Sequence, residues 1–238
     1  QKNFKGLLFQ PKNKSKMSQS IRILSTKTLL PNQKQALLDA HFDVIETNFI
    51  QTTATDFSLD SVNEHLIFTS QNAVKNFLKH PKAAEFKQNK VFCVGLKTKI
   101  MLTEAGFEVL AYTGYAEDLA EIIALIYGKA SYTFFSGNLR RNTLPEALQS
   151  AGIVFNEIQV YTTTLSPQTI QEKVDGILFF SPSAVESYLA ANKIKNEICF
   201  CIGETTAEAL EKNKIKNIIV ASQPSIEDVI EEVLQEYT

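Results

Sequence analysis

The chain has 238 residues, of which 44% are hydrophobic and 21% charged, with a formal charge of −2. That length suits one large domain or two of about 100 to 120 residues. No apolar run reaches the roughly 18 to 20 residues that a membrane span needs, and three cysteines make no disulfide framework.

Residues 1–16 carry five lysines and no acid, so removing them takes the formal charge from −2 to −7. A body this acidic argues against a nucleic-acid binder. Residues 1–20 read as a disordered tail or an expression remnant, with Met17 as an alternative start. The N-terminus lacks the apolar core of a signal peptide, which makes the cytoplasm the expected compartment.

Along the chain, 21–24 (IRIL) reads as a strand, 25–31 as a polar turn, 33–40 as a helix and 44–50 as a second strand. Residues 52–60 read as a polar loop. A strand at 66–68 and a helix from 71 to 78 follow, with a break at Pro81. VFCV at 91–94 is a strand, turned at Gly95 into a helix that ends at Gly106. A strand at 107–110, a turn at 113–115 and a helix at 117–126 complete this half. The second half repeats the plan. It has strands at 132–135, within 153–161, and at 177–180, 198–202 and 217–220. Its helices run to Ser150, from Ser181 or Ser183, over 205–212, and over 225–237.

The two halves share residues. LIFTSQNAVKNFL (66–78) laid over ILFFSPSAVESYL (177–189) matches at Phe68/Phe179, Ser70/Ser181, Ala73/Ala184, Val74/Val185 and Leu78/Leu189. VFCVGLKTKIML matches CFCIGETTAEAL at Phe92/Phe200, Cys93/Cys201, Gly95/Gly203, Thr98/Thr206 and Leu102/Leu210. The first elements align more weakly, through Ser25/Ser136, Ala36/Ala147, Leu37/Leu148 and Ala40/Ala151. The chain therefore reads as two copies of one α/β unit. Strands alternating with helices imply right-handed crossovers and flavodoxin-like parallel sheets covered by helices on both faces.

In such sheets ligands bind beyond the carboxyl ends of the strands. Polar turns stand there: Thr69-Ser70-Gln71, Gly95 to Thr98, Ser136-Gly137-Asn138, Ser181 to Ser183, and Gly203 through Thr205 and Thr206. Each leads into a helix N-terminus, whose open N–H groups favour an anion. Taken singly, each turn reads first as an ordinary cap. Five of them, repeated in two domains, read as an anion-binding cleft. Arg140 and Arg141 follow the third turn, as an anion ligand or as a solvated helix face. Tyr161 closes a strand in VYTTT, and a phenol there either reaches a cleft or stands in the core. The histidines read as surface residues and the cysteines as buried small hydrophobes. Cofactor and metal motifs are absent from the sequence, so no cofactor and no metal is expected.

Taken in order and spacing, IFTSQNAV, VGLKT, FSGNLRRNTLPEAL, VYTTT, FFSPSAVESY and IGETTAEAL resemble the uroporphyrinogen-III synthase family over about residues 21–238. The resemblance implies two similar domains joined by a two-stranded linker. The chain would start one domain, build the second, and return. Domain one would be 21–50 plus 163–238, domain two 52–160, with crossings near 49–53 and 160–164. The implied enzyme is a lyase that dehydrates and cyclises hydroxymethylbilane, a linear tetrapyrrole with eight carboxylates, to uroporphyrinogen III with ring D inverted.

Tyr161 matches the family's tyrosine, proposed as proton donor to the leaving hydroxyl. Thr69, Ser70, Gln71, Thr98, Ser136, Gly137, Asn138, Arg140, Ser181, Ser183, Thr205 and Thr206 would line the substrate site, with Lys97 an alternative cation. The expected partners are the tetrapyrrole substrate and product, with transient contact to the preceding bilane-forming enzyme. No nucleic acid and no membrane is expected, and the chain is expected to be a monomer. The competing expectation is a non-catalytic two-domain module that closes on a small anion.

Overall fold

A computed structural model describes residues 20–238. The segment read as a tail lies outside the described residues, apart from Ser20. The elements run β1 (Arg22–Ser25), α1 (Pro31–Asp39), β2 (Asp43–Glu46), β3 (Ile50–Ala54), β4 (His65–Phe68), α2 (Gln71–Leu78), β5 (Lys90–Val94) and α3 (Leu96–Glu104). They continue β6 (Val109–Thr113), α4 (Ala116–Ile126), β7 (Ser131–Gly137), α5 (Thr143–Ser150), β8 (Val154–Leu165), β9 (Gly176–Phe179), α6 (Pro182–Ala191), β10 (Ile198–Cys201), α7 (Glu204–Lys212), β11 (Ile218–Val220) and α8 (Ile226–Tyr237).

The strands form two sheets, β11-β10-β9-β1-β2 and β3-β8-β7-β4-β5-β6. All pairings are parallel except β3 with β8. The chain divides into two compact units. Among the described residues, one takes 20–47, Thr169–Val185 and Asn192–Thr238; the other takes Asn48–Gln168 and Glu186–Ala191.

The second unit shows why its strands are continuous apolar runs. Leu66 and Phe68 of β4, Val91 and Cys93 of β5, and Phe135 of β7 pack on one face with Ala73, Val74 and Phe77 of α2. Ile67, Phe92, Tyr132 and Phe134 point to the other face, against Leu119, Ala120 and Ile123 of α4 and Leu144 and Leu148 of α5. Side chains alternate between faces and both faces are dry, which is the condition that selects parallel strands. Phe68 and Phe135 stack with centroids 5.1 Å apart. In the first unit Ile23, Leu178 and Phe200 meet Leu37 of α1 and Val229, Ile230 and Val233 of α8. Cys93, Cys199 and Cys201 are buried, and burial pushes each thiol up to about 12.

Four helices end alike. After α1, α3, α5 and α7 a residue at positive φ (His41, Gly106, Gly152, Lys214) bonds back to the helix. The next residue (Phe42, Phe107, Ile153, Ile215) donates its N–H to Leu37, Leu102, Leu148 or Leu210. This is the Schellman ending with its apolar plug.

It also corrects one boundary. Phe107 serves the cap and is buried, so the strand expected at 107–110 begins two residues later and runs to Thr113. Residues 50–54, expected to leave a strand for a polar loop, are the strand β3, whose polar side chains are exposed while its backbone pairs with β8. The strand expected within 153–161 runs on to Leu165. Among the histidines, His65 is not a surface residue. It lies between Phe92 and Tyr132 with its side chain 12% exposed.

At the amino ends of the second sheet, polar side chains tie the loop before β4 to β7 and β8. Thr133 Oγ1 accepts from the Asn63 N–H at 2.8 Å and donates to Asn156 Oδ1 at 2.7 Å, and Asn156 Nδ2 donates to the Ser61 carbonyl at 2.7 Å. Thr133 is fully buried. Thr133→Val keeps the shape and orphans the Asn63 N–H, while Asn156 Oδ1 keeps its bond from Asn63 Nδ2 at 2.9 Å, so it should cost about 1–3 kcal/mol, read as a lower urea midpoint. Lys214→Gly removes a left-handed side chain and should gain about 0.5–1 kcal/mol in the same measurement.

Candidate functional site

In each sheet one pair of neighbouring strands sends its connections in opposite directions, and the loops beyond their carboxyl ends part. In the first sheet that pair is β1 and β9; in the second it is β7 and β4. The loops concerned are those after Ser25 and Phe179, and those after Gly137 and Phe68.

In the second unit the switch point is built around Tyr161. Over its first half β8 pairs with β7 in parallel, and over 161–165 it pairs with β3 in antiparallel. Tyr161 is the residue shared by both ladders, opposite Ala54 on one side and Gly137 on the other. The register along β7 jumps there, from Ser136 opposite Gln159 to Gly137 opposite Tyr161, which leaves Val160 as an extra residue. Such a bulge re-aims the side chain that follows it. Val160 stays buried in the core while Tyr161 packs against the same cluster and is half-exposed. Its ring lies over Gly137, and its hydroxyl is 3.1 Å from Ser70 Oγ.

Ser70 is the N-cap of α2, accepting from the Ala73 N–H at 3.1 Å. The phenol therefore sits at the positive end of a helix. Thr69 and Gln71 flank Ser70 and are half-buried; Ser136 is buried one residue before Gly137. Thr98 is buried in the first turn of α3.

Two expected ligands are held by the protein itself. Asn138 pairs both ends of its amide with Thr163, donating to the carbonyl at 3.1 Å and accepting from the N–H at 2.7 Å, so it braces β8. Arg140 forms a two-pronged ion pair with Glu157 and also donates to Asn142.

In the first unit, Ser181 rather than Ser183 provides the cap of α6. Its Oγ accepts from the Ala184 N–H at 3.2 Å, Pro182 occupies the first helical position, and the two serine hydroxyls lie 3.0 Å apart. Thr205 and Thr206 lie in the first turn of α7, the first half-buried and the second buried. The structure thus gathers Tyr161, Gly137 and Ser70 in one unit, and Ser181 with Ser183 in the other.

One cation was missed by sequence reasoning. Lys27 follows β1, with Nζ 5.8 Å from the Phe180 ring centroid, on the same switch-point rim as Ser181. Its signal is a lysine two residues past a strand that takes the central place beside β9, which only the strand order reveals. The bulge before Tyr161 has no signal in the residues.

A family model described as uroporphyrinogen-III synthase HemD matches residues 33–231. Among solved structures, the uroporphyrinogen-III synthetase of Helicobacter pylori is 23% identical, with a TM-score of 0.70 over 91% of this chain and 99% of that one. A mutant uroporphyrinogen III synthase of Thermus thermophilus is 16% identical, with a TM-score of 0.67 over 91% and 98%. At these identities the two structures speak for the fold. A search of curated proteins gave no match. With the family model running from within α1 into α8 and so over most of the chain, the chain belongs to the uroporphyrinogen-III synthase family.

Proposed function

We propose that this chain converts hydroxymethylbilane to uroporphyrinogen III, as a lyase of the cytoplasm in tetrapyrrole biosynthesis. The family match over residues 33–231 carries this reading, and it does not favour the alternative of a non-catalytic anion-binding module. The ribbon of Ile50–Ala54 with Tyr161–Leu165 is taken as the crossing between domain one (21–50 plus 163–238) and domain two (52–160).

The chemistry asked of the protein is modest. The bilane's hydroxyl takes up a proton and leaves as water, giving an electron-poor azafulvenium cation. The substituted carbon of ring D attacks it, and the spiro intermediate fragments and recloses with ring D inverted. In water alone the bilane closes without inversion. The protein must therefore hold the substrate folded and favour one of two closures, by positioning and electrostatic stabilisation.

Tyr161 is the proposed acid. A phenol O–H can donate its proton to the departing hydroxyl. The negative charge left on its oxygen meets the Ser70 hydroxyl and the N-terminus of α2, which stabilise it. The proton released when the last pyrrole regains aromaticity restores the phenol. The substrate carboxylates are assigned to the switch-point rims. Ser181, Ser183 and Lys27 serve in the first unit, and Thr69, Gln71, Thr98 and the backbone amides near Ser136 and Asn138 in the second. Thr205 and Thr206 add the N-terminus of α7. Arg140 belongs to this set only if a carboxylate displaces Glu157.

Purified protein given hydroxymethylbilane should yield mainly type III uroporphyrin after oxidation and chromatography, above the enzyme-free control. Only type I from a folded sample would refute the activity. Tyr161→Phe should lower type III turnover about tenfold or more while changing product affinity little. Unchanged turnover would remove Tyr161 from the role of acid.

A further inference from the structure

The second sheet runs β8-β7-β4, so the Tyr161 side chain starts on β8 and ends at a hydroxyl beyond β4. It must cross the intervening strand, and neighbouring strands are about 4.8 Å apart. The residue under the crossing is Gly137. A Cβ built there would lie 2.4 Å from Tyr161 Cε2 and Cζ and 2.9 Å from its hydroxyl oxygen, closer than non-bonded carbons approach. Gly137 is not among the residues at positive φ, so its backbone is open to any residue and only space demands a glycine.

The first unit provides an internal control. Gly137 aligns with Thr26 one residue after the Ser25/Ser136 match, and Thr26 fills the place with a buried side chain bonded to the Leu178 carbonyl at 2.6 Å. The same strand order exists there without a seat for a ring.

We propose that Gly137 and Ser70 are positioning residues for the reaction. Gly137 is the floor on which the Tyr161 ring lies, and Ser70 is the stop that fixes its hydroxyl. This rests on Tyr161 being the proton donor. It reassigns Gly137 from a carboxylate-binding turn to the support of the acid. The two roles differ in outcome, because Gly137→Ala keeps the backbone N–H that would bind a carboxylate and removes only the space.

The test is a double-mutant cycle on the full chain, with kcat and KM for type III formation measured for wild type, Tyr161→Phe, Gly137→Ala and the double variant. Gly137→Ala should lower kcat about as far as Tyr161→Phe does, with KM within about twofold, and should cost nothing further in the Tyr161→Phe background. A purely structural defect would lower both backgrounds alike, and that additive result overturns the proposal. So does a Gly137→Ala enzyme within about twofold of wild type while Tyr161→Phe is slow, which leaves Tyr161 as acid intact. If Tyr161→Phe is itself as fast as wild type, the acid assignment fails and the positioning role falls with it. Should Gly137→Ala not fold, Ser70→Gly enters the same cycle, because glycine serves as an N-cap at small cost while removing the hydroxyl. It should slow the wild type about threefold or more and leave Tyr161→Phe unchanged; equal loss in both, or none in either, refutes the proposal.

Discussion

A strand of twelve residues must pair its peptide groups along its whole length, and β8 does so with two partners of opposite direction. Over 154–161 it is a parallel strand with β7 as its one partner, at the edge of the second sheet; over 161–165 it is one arm of an antiparallel ribbon. The two ladders lie on opposite edges of β8 and differ in their hydrogen-bond spacing. The bulge at Val160 falls just before Tyr161, the residue where both ladders are present. The candidate acid therefore stands on a point of the backbone that is over-determined from both sides. It is held by Gly137 beneath, Ser70 at its tip and the Asn138–Thr163 pair two residues beyond. Few charged groups are needed for this arrangement, in keeping with a reaction that asks for orientation more than for strong acid or base.

The strand orders show how one frame is used twice. Read from β2, the first sheet is β2-β1-β9-β10-β11; read from β8, the second is β8-β7-β4-β5-β6. With β1 matched to β7 and β9 to β4, the two orders coincide. With β3 set aside, each sheet takes two strands from one copy of the repeat and three from the other. The copies have exchanged halves. Within this common frame the two switch points have diverged at single residues. Thr26 closes over the first, with Lys27 beside it, whereas Gly137 opens the second to an aromatic ring.

Much of this was legible in the residues. Continuous apolar runs followed by polar turns marked strands buried on both faces, and the matches Ser70/Ser181 and Gly95/Gly203 marked equivalent helix starts. The paired helix endings were half-visible, since Gly106 and Gly152 announce a left-handed residue while His41 and Lys214 do not. The strand β3 was hidden because its sequence, IQTTA, has an exposed polar face and gains its order from a ladder to residues more than a hundred positions away. His65 was hidden because its burial follows from which strands flank β4. At the site, position drew attention to Tyr161 but left cleft or core open, the family resemblance gave it a role, and turn chemistry picked out Ser70 and Ser181. That Asn138 and Arg140 are engaged by Thr163 and Glu157 depends on the pairing of β7 with β8, which no local pattern encodes.

The exchange of halves also governs the order of assembly. All strands of the second sheet lie within one continuous stretch of chain, from β3 to β8. The first sheet is different. Its β1 pairs with β9, and the Arg22 N–H donates to Asp175, 153 residues further along. Because β9 stands between β1 and β10, the sheet cannot be joined until the ribosome has passed both. During synthesis β1 and β2 are made first and completed last, holding apolar residues such as Ile23, Leu24 and Leu37 that have no finished core to enter. The chain that begins the first unit must wait for the second to be made, and contacts of this sequence separation are the slow ones to form.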